Sequence, residues 1–163
     1  MENKEKKTVT LYNIIFPIWA ILALPPVILI TLPVNYLIDY LVTRISLKKQ
    51  GNQEYKKIAK KFTWKIWLIG FLSDFIGVVG MFLCEIFNGR VAYYVEYNCF
   101  RNIWAFLYVM ICISVSGELI YFLNLKLSLR KTDLLSLEEK KKLALHLAIF
   151  TAPYTFLIPT FFR

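Results

Sequence analysis

Four ionisable side chains stand in surroundings that disfavour charge: Asp39, Asp74, Glu118 and His146 each interrupt a separate apolar stretch. Carboxyl groups that lie close together bind protons more readily, and an imidazole titrates near neutrality. Three carboxyls and one imidazole at a common depth would be able to relay protons or hold a cation. An ionisable group near a bilayer centre costs at least ~2.5 kcal/mol on insertion scales, so each of the four asks for a reason. A rise of about 1.5 Å per residue places all four roughly 6–12 Å inside the same half of a membrane. Asn35 sits slightly deeper than Asp39, and Ser114 and Ser116 lie near Glu118. The plainer reading is that these groups bond across helices, or that Asp39 and His146 reach the interface.

Other chemistry is sparse. Cys84, Cys99 and Cys112 form no CxxC pair, which removes zinc and dithiol redox motifs. Cys84 and Cys99 both fall towards the outer face. They could pair in an oxidising exterior, or remain two buried thiols. Cys112 and His146 could be written as nucleophile and base, but their expected depths differ by several ångströms. No Walker loop, Rossmann glycine pattern, zincin motif or G-x-S-x-G elbow occurs. The sequence therefore offers no catalytic set, no metal site and no cofactor.

The elements that must position these residues follow from composition. Of 163 residues, 58% are hydrophobic, more than one globular core of this size could hide. Mean hydropathy is +0.52, as expected of a membrane protein. Three apolar stretches have the length of a membrane helix, which needs about 20 residues: 66–87, 102–123 and 143–162. Pro153 should kink the last of them, and Pro159 should fray its end. A fourth apolar region, 14–43, is too long for one perpendicular crossing and too short for two. Pro17, Pro25, Pro26 and Pro33 interrupt it. It reads as one long kinked helix, or as a re-entrant hairpin turning at Leu24-Pro25-Pro26. Gly70, Gly77 and Gly80 should let another helix approach the second span. Tyr93, Tyr94, Tyr97, Phe100 and Trp104 suit an interfacial aromatic belt in the loop 88–101 and just beyond it.

Charge is segregated between these stretches. Net charge is +9, and fifteen lysines stand against five arginines. Bidentate phosphate and base recognition favours arginine, so nucleic-acid binding is disfavoured. The segments 44–65 and 124–142 hold eight and six Lys/Arg, while the loop between the second and third spans holds Arg90 and Arg101. The positive-inside rule then puts both basic segments in the cytoplasm. Within 52–65, Tyr55, Ile58, Ala59 and Phe62 share one helical face. That pattern suggests a basic amphipathic helix on the membrane surface, with Lys56, Lys57, Lys60 and Lys61 facing anionic headgroups. Ser136-Leu137-Glu138-Glu139 is a capping box that should start the last helix just after Ser136.

The expected architecture is an all-α, polytopic bundle of four transmembrane segments in a single domain, 1–163. The cell membrane is the expected location, and the lysine and isoleucine usage suggests an AT-rich bacterial genome. The functional expectation is a non-catalytic accessory or regulatory subunit of a larger membrane complex. Its partners would be anionic lipid and either another membrane protein or further copies of the chain. The alternative is a small translocator using the four ionisable residues.

Overall fold

The computed structural model describes the backbone of residues 25–130 and 132–159, and their side chains from Leu29 onward. Among these residues the chain is all-helical, with no strand. The part of the expected first span before Pro25, including Pro17 and the re-entrant alternative, lies outside the described residues.

Helix α1 spans Pro25–Lys49 and passes through Pro33 without ending. It outruns the expected boundary at 43 by six residues and stops at Gly51, whose φ of 78° suits glycine. Gly51 N–H donates to the Lys48 carbonyl, and Asn52 N–H to that of Leu47, the paired bonds of a Schellman ending. Asn52 then acts as a corner piece. Its Oδ1 accepts from Glu54 N–H (2.9 Å), and its Nδ2 donates to Glu139 Oε1 (2.8 Å) in the other basic segment.

Helix α2, Tyr55–Phe87, runs unbroken for 33 residues, about 50 Å. This corrects the expectation of a separate surface helix before the second span: the two are one element. The reason is the partner of its apolar face. Ile58, Ala59 and Phe62 are buried in protein, and Ile58 and Phe62 pack with Leu47, Leu129, Leu135 and Leu143. That face is therefore not free to lie on lipid.

The loop expected at 88–101 is more ordered than its composition suggests. Three asparagines divide it. Asn88 caps α3, Gly89–Tyr97, by accepting from Val91 N–H. Asn98 caps a 3-10 turn, Cys99–Arg101. Asn102 caps α4, Ile103–Leu123, by accepting from Trp104 and Ala105 N–H. Short polar side chains satisfy the orphan donors of a helix start, so each asparagine begins an element. A π turn, Asn124–Ser128, lengthens α4.

The capping box forms as read: Ser136 Oγ accepts from Glu139 N–H, and Glu139 Oε2 accepts from Ser136 N–H. Helix α5, Leu137–Phe150, ends after 14 residues, about 21 Å, short of the ~30 Å of a hydrocarbon core. Pro153 does not kink it, since the helix ends first. A 3-10 turn, Tyr154–Leu157, follows. The expected fourth span, 143–162, is thus not one continuous helix. Among the described residues, two helices are long and apolar enough to cross a membrane, Tyr55–Phe87 and Ile103–Ser128.

The four longer helices form a ring in which α1 touches α2 and α5, and α4 touches α2 and α5. Two apolar cores lie at its ends. The basic end is closed by Leu47, Ile58, Leu129 and Leu143. The opposite end is closed by Met81, Cys84, Val95, Cys99 and Val109. Between them runs a layer of small polar side chains.

Candidate functional site

The polar layer is assembled from α1, α2, α4 and the residues after α5. Asp39 is only 5% exposed and faces α2 at Gly70. A Cβ at Gly70 would stand 3.7 Å from Asp39 Oδ2, so the glycine leaves room for the carboxylate. The Thr151 hydroxyl, just past the end of α5, lies near the Asp39 carboxyl and donates its proton to the Leu147 carbonyl at 2.8 Å. Asp74 lies one turn beyond Gly70 and within electrostatic reach of Asp39. Its Oδ1 is buried without a hydrogen-bond partner. These two carboxyls are the pair that the fold brings together.

His146 and Glu118 are placed elsewhere. His146 Nδ1 lies 2.7 Å from Ser46 Oγ, across the α1–α5 contact. Gln50 Nε2 donates to the same hydroxyl at 3.1 Å, and the imidazole also contacts the Phe150 ring. His146 and Thr151 are five residues apart and project about 140° from one another around the helix. The imidazole and the Asp39 carboxyl thus have different neighbours. Glu118 is exposed, in a groove on the outer side of α4 and α5 lined by Ser114, Gly117, Tyr121, Leu145, Ala148 and Ile149. Its neighbour Ser116 points the other way and donates to the Ser73 carbonyl at 3.0 Å. The four residues expected to share a depth do not meet at one point. Helix rotation separates them, and hydropathy carries no information about rotation.

A contact that spacing alone did not suggest lies in the same layer. Gly77 has no side chain because Ser116 and Phe156 occupy its place; a Cβ there would stand 2.9 Å from the Phe156 ring. Phe156 is buried between the helices although it belongs to the short 3-10 turn. The available signal was a glycine in one apolar stretch and an aromatic residue just after Pro153 in another.

Lys56, Lys57, Lys60 and Lys61 are all exposed at the start of α2. Lys57 pairs with Glu54 at 3.3 Å, and Lys56 and Lys61 lie over the rings of Tyr55 and Phe62. Arg44, from α1, also approaches the Tyr55 ring, so cations from two helices gather at this end. Below them, the bonds from Asn52 and Ser136 hold the Glu139 carboxyl under its ordinary value of 4.5.

The cysteines do not pair: Cys84, Cys99 and Cys112 are free and buried. Cys112 sits against Gly80 of α2, whereas His146 is bonded to Ser46, which separates that nucleophile–base combination. Among the described residues, no group of three or more His, Cys, Asp or Glu side chains gathers as a metal site would. Comparison with known proteins finds no family model, no curated protein and no solved structure that matches the chain.

Proposed function

We propose that the protein is a multi-pass subunit of a cell-membrane assembly, with an accessory or regulatory role rather than catalysis. One observation carries this reading: small polar side chains are buried between the helices, some of them joining one helix to another, while large apolar residues face outward. Phe71, Phe75, Phe82 and Ile86 of α2, and Leu107, Ile111 and Val115 of α4, are exposed. Inside, Ser46–His146, Tyr108–Gly80 and Ser116–Ser73 tie the helices together. Such an inside-out arrangement suits a protein whose solvent is lipid or another apolar protein surface.

In this reading α1, α2 and α4 cross the bilayer, and α5 enters it partway. The non-helical backbone after Pro153 is tolerable there because it is packed against other helices. The basic end faces the cytoplasm, where Lys56, Lys57, Lys60 and Lys61 contact anionic headgroups from an upright helix.

A second reading, translocation of protons or a cation, draws on Asp74 Oδ1, which is buried without a partner beside Asp39. The two readings separate in one experiment. The full chain is extracted from its native membrane in mild detergent and run on a native gel, and the purified protein is also placed in liposomes. The accessory reading expects migration well above the 19.2 kDa of one chain, together with background ion flux. Flux from the purified chain alone, abolished by Asp74→Asn, would replace it with the translocator.

A further inference from the structure

Ser128 carries a hydroxyl that the bundle buries and leaves unused. The residue is 3% exposed, and its Oγ has no hydrogen-bond partner. Other hydroxyls on these helices donate to the carbonyl four residues back: Thr63 to Ala59, Ser73 to Ile69 and Ser114 to Met110. For Ser128 that carbonyl belongs to Asn124, and in the π turn it already accepts from Leu129 N–H at 2.9 Å. A buried polar atom without a bond costs about 1–3 kcal/mol, so Ser128 calls for a partner from outside the chain. Thr43 Oγ1 is also unbonded, but Thr43 is fully enclosed by the helices. Ser128 instead borders an open cleft between α2 and α4, together with Trp64, Lys65, Leu68, Ile69 and Leu127.

The cleft is cationic at one level and apolar at the next. Trp64 and Lys65 are exposed, and Lys65 Nζ lies 5.6 Å from the Trp64 ring centroid. Among the described residues no carboxylate pairs with Lys65. Leu68 and Ile69 stand one turn further from the basic end. Lys65 is the last basic residue of α2, and an indole beside a lysine at the head of an apolar run marks the level of lipid headgroups. Resting on the membrane reading above, we propose that this cleft binds an anionic phospholipid, with Lys65 and the Ser128 hydroxyl donating to its phosphate and an acyl chain running along Leu68. Charge and depth select this occupant. Along α2 and α4, the carboxyls of Asp74 and Glu118 lie about 14 and 15 Å deeper, and that of Glu54 about 16 Å nearer the basic end, by helical rise. Asp133, Glu138 and Glu139 stand around the Asn52 corner, where Leu134 and Glu139 are bonded. A second copy in the same orientation therefore brings no described carboxylate to Lys65, whereas every phospholipid brings a phosphate to the headgroup level. The cleft holds about 250 Å³, and a helix turn about 10 Å across and about 5.4 Å tall takes up roughly 420 Å³, so a partner's helix does not fit within it. Lys61, one turn nearer the basic end on the same face of α2, favours a headgroup without a cation.

The test has two arms. In the native membrane, a photo-crosslinking residue replaces exposed Leu127 of the full chain, and the expected adduct is phospholipid. In the second arm the purified full chain, in mild detergent, is titrated with phosphatidylglycerol or phosphatidylcholine, and the lipid retained is counted by native mass spectrometry. The first phosphatidylglycerol should be held at least about tenfold more tightly than phosphatidylcholine. Lys65→Gln should weaken it at least about tenfold, the scale of a hydrogen bond to a charged group, and Lys65→Arg should keep it within about twofold. Ser128→Ala, which leaves the cleft open, should weaken it about threefold or more. Arg90→Gln removes the same charge from the opposite end and should leave binding within about twofold of the parent. Lys65 is exposed and Ser128 Oγ makes no bond, so these variants should keep the parent's size-exclusion profile. Leu127 adducts to residues 1–24, to a second copy or to another protein would overturn the proposal. So would equal retention of the two lipids, parent-like binding by Lys65→Gln or Ser128→Ala, or displacement of the lipid by excess inorganic phosphate. Release of the chain from membranes by alkaline carbonate would sink the membrane reading itself, whereas a retained chain without lipid preference removes only this site.

Discussion

At the residue scale, the polar contacts that join the helices are single hydrogen bonds, and each can be removed cleanly. Ser46→Ala takes away the partner of His146 Nδ1. A lost bond of this kind costs about 1 kcal/mol, so a modest fall in the detergent-solubilised melting temperature is expected. A melting temperature equal to the parent's would show that the bond does not form. Glu139 gives a pH signature. Its carboxyl is held below 4.5 when folded, by Asn52 and then by Ser136. A depressed folded-state value means that the stabilisation is present above the unfolded value and is lost as pH falls through the folded one. Melting should therefore weaken as pH drops below about 4.5, with a shallower decline in Glu139→Gln. Parallel pH profiles for the two proteins would remove Glu139 from the account.

At the scale of elements, two glycines make a direct comparison. Gly77→Val puts atoms where Ser116 and Phe156 already lie, so overpacking of about 1–3 kcal/mol is expected. Nothing stands within 4 Å of a Cβ at Gly89, so Gly89→Ala should be neutral or slightly stabilising. Thermal shifts of the two variants in one detergent would decide, and equal shifts would discard the Phe156 plug. The apolar runs that became α4 and most of α2 were legible in the sequence, as was the Ser136–Glu139 start of α5. Length, hydropathy and capping are local properties. The stretch 52–65 was misread for a physical reason: periodicity reports that Ile58 and Phe62 share a face, not whether lipid or protein covers it. The end of α5 escaped because hydropathy continues past Phe150 while the helix does not. Of the site, the residue types were legible, but helix rotation was not. Rotation is what paired Asp39 with Asp74 and turned Glu118 outward.

At the scale of the molecule, both basic segments meet at one end because the turn at Gly51 is bonded to the start of α5 through Asn52 and Glu139. The proposed topology then predicts a two-sided labelling pattern. A cysteine replacing Lys57, in a chain whose native cysteines are buried, should react with a membrane-impermeant maleimide only in inverted vesicles. One replacing exposed Arg90 should react only in intact cells. Labelling of both from the same side would rule out α2 as a crossing helix.

Helix α2 belongs to both ends. It has no break between Lys57 and Cys84, and each end is gripped by a separate apolar core. In mechanical terms it is a drive shaft. A torque applied where its lysines meet a charged surface would turn Met81 and Cys84 with it, since an unbroken helix has no joint at which to absorb the twist. From Lys57 to Cys84 that shaft spans some 40 Å by helical rise, from the lysine-rich end to the apolar core at the other.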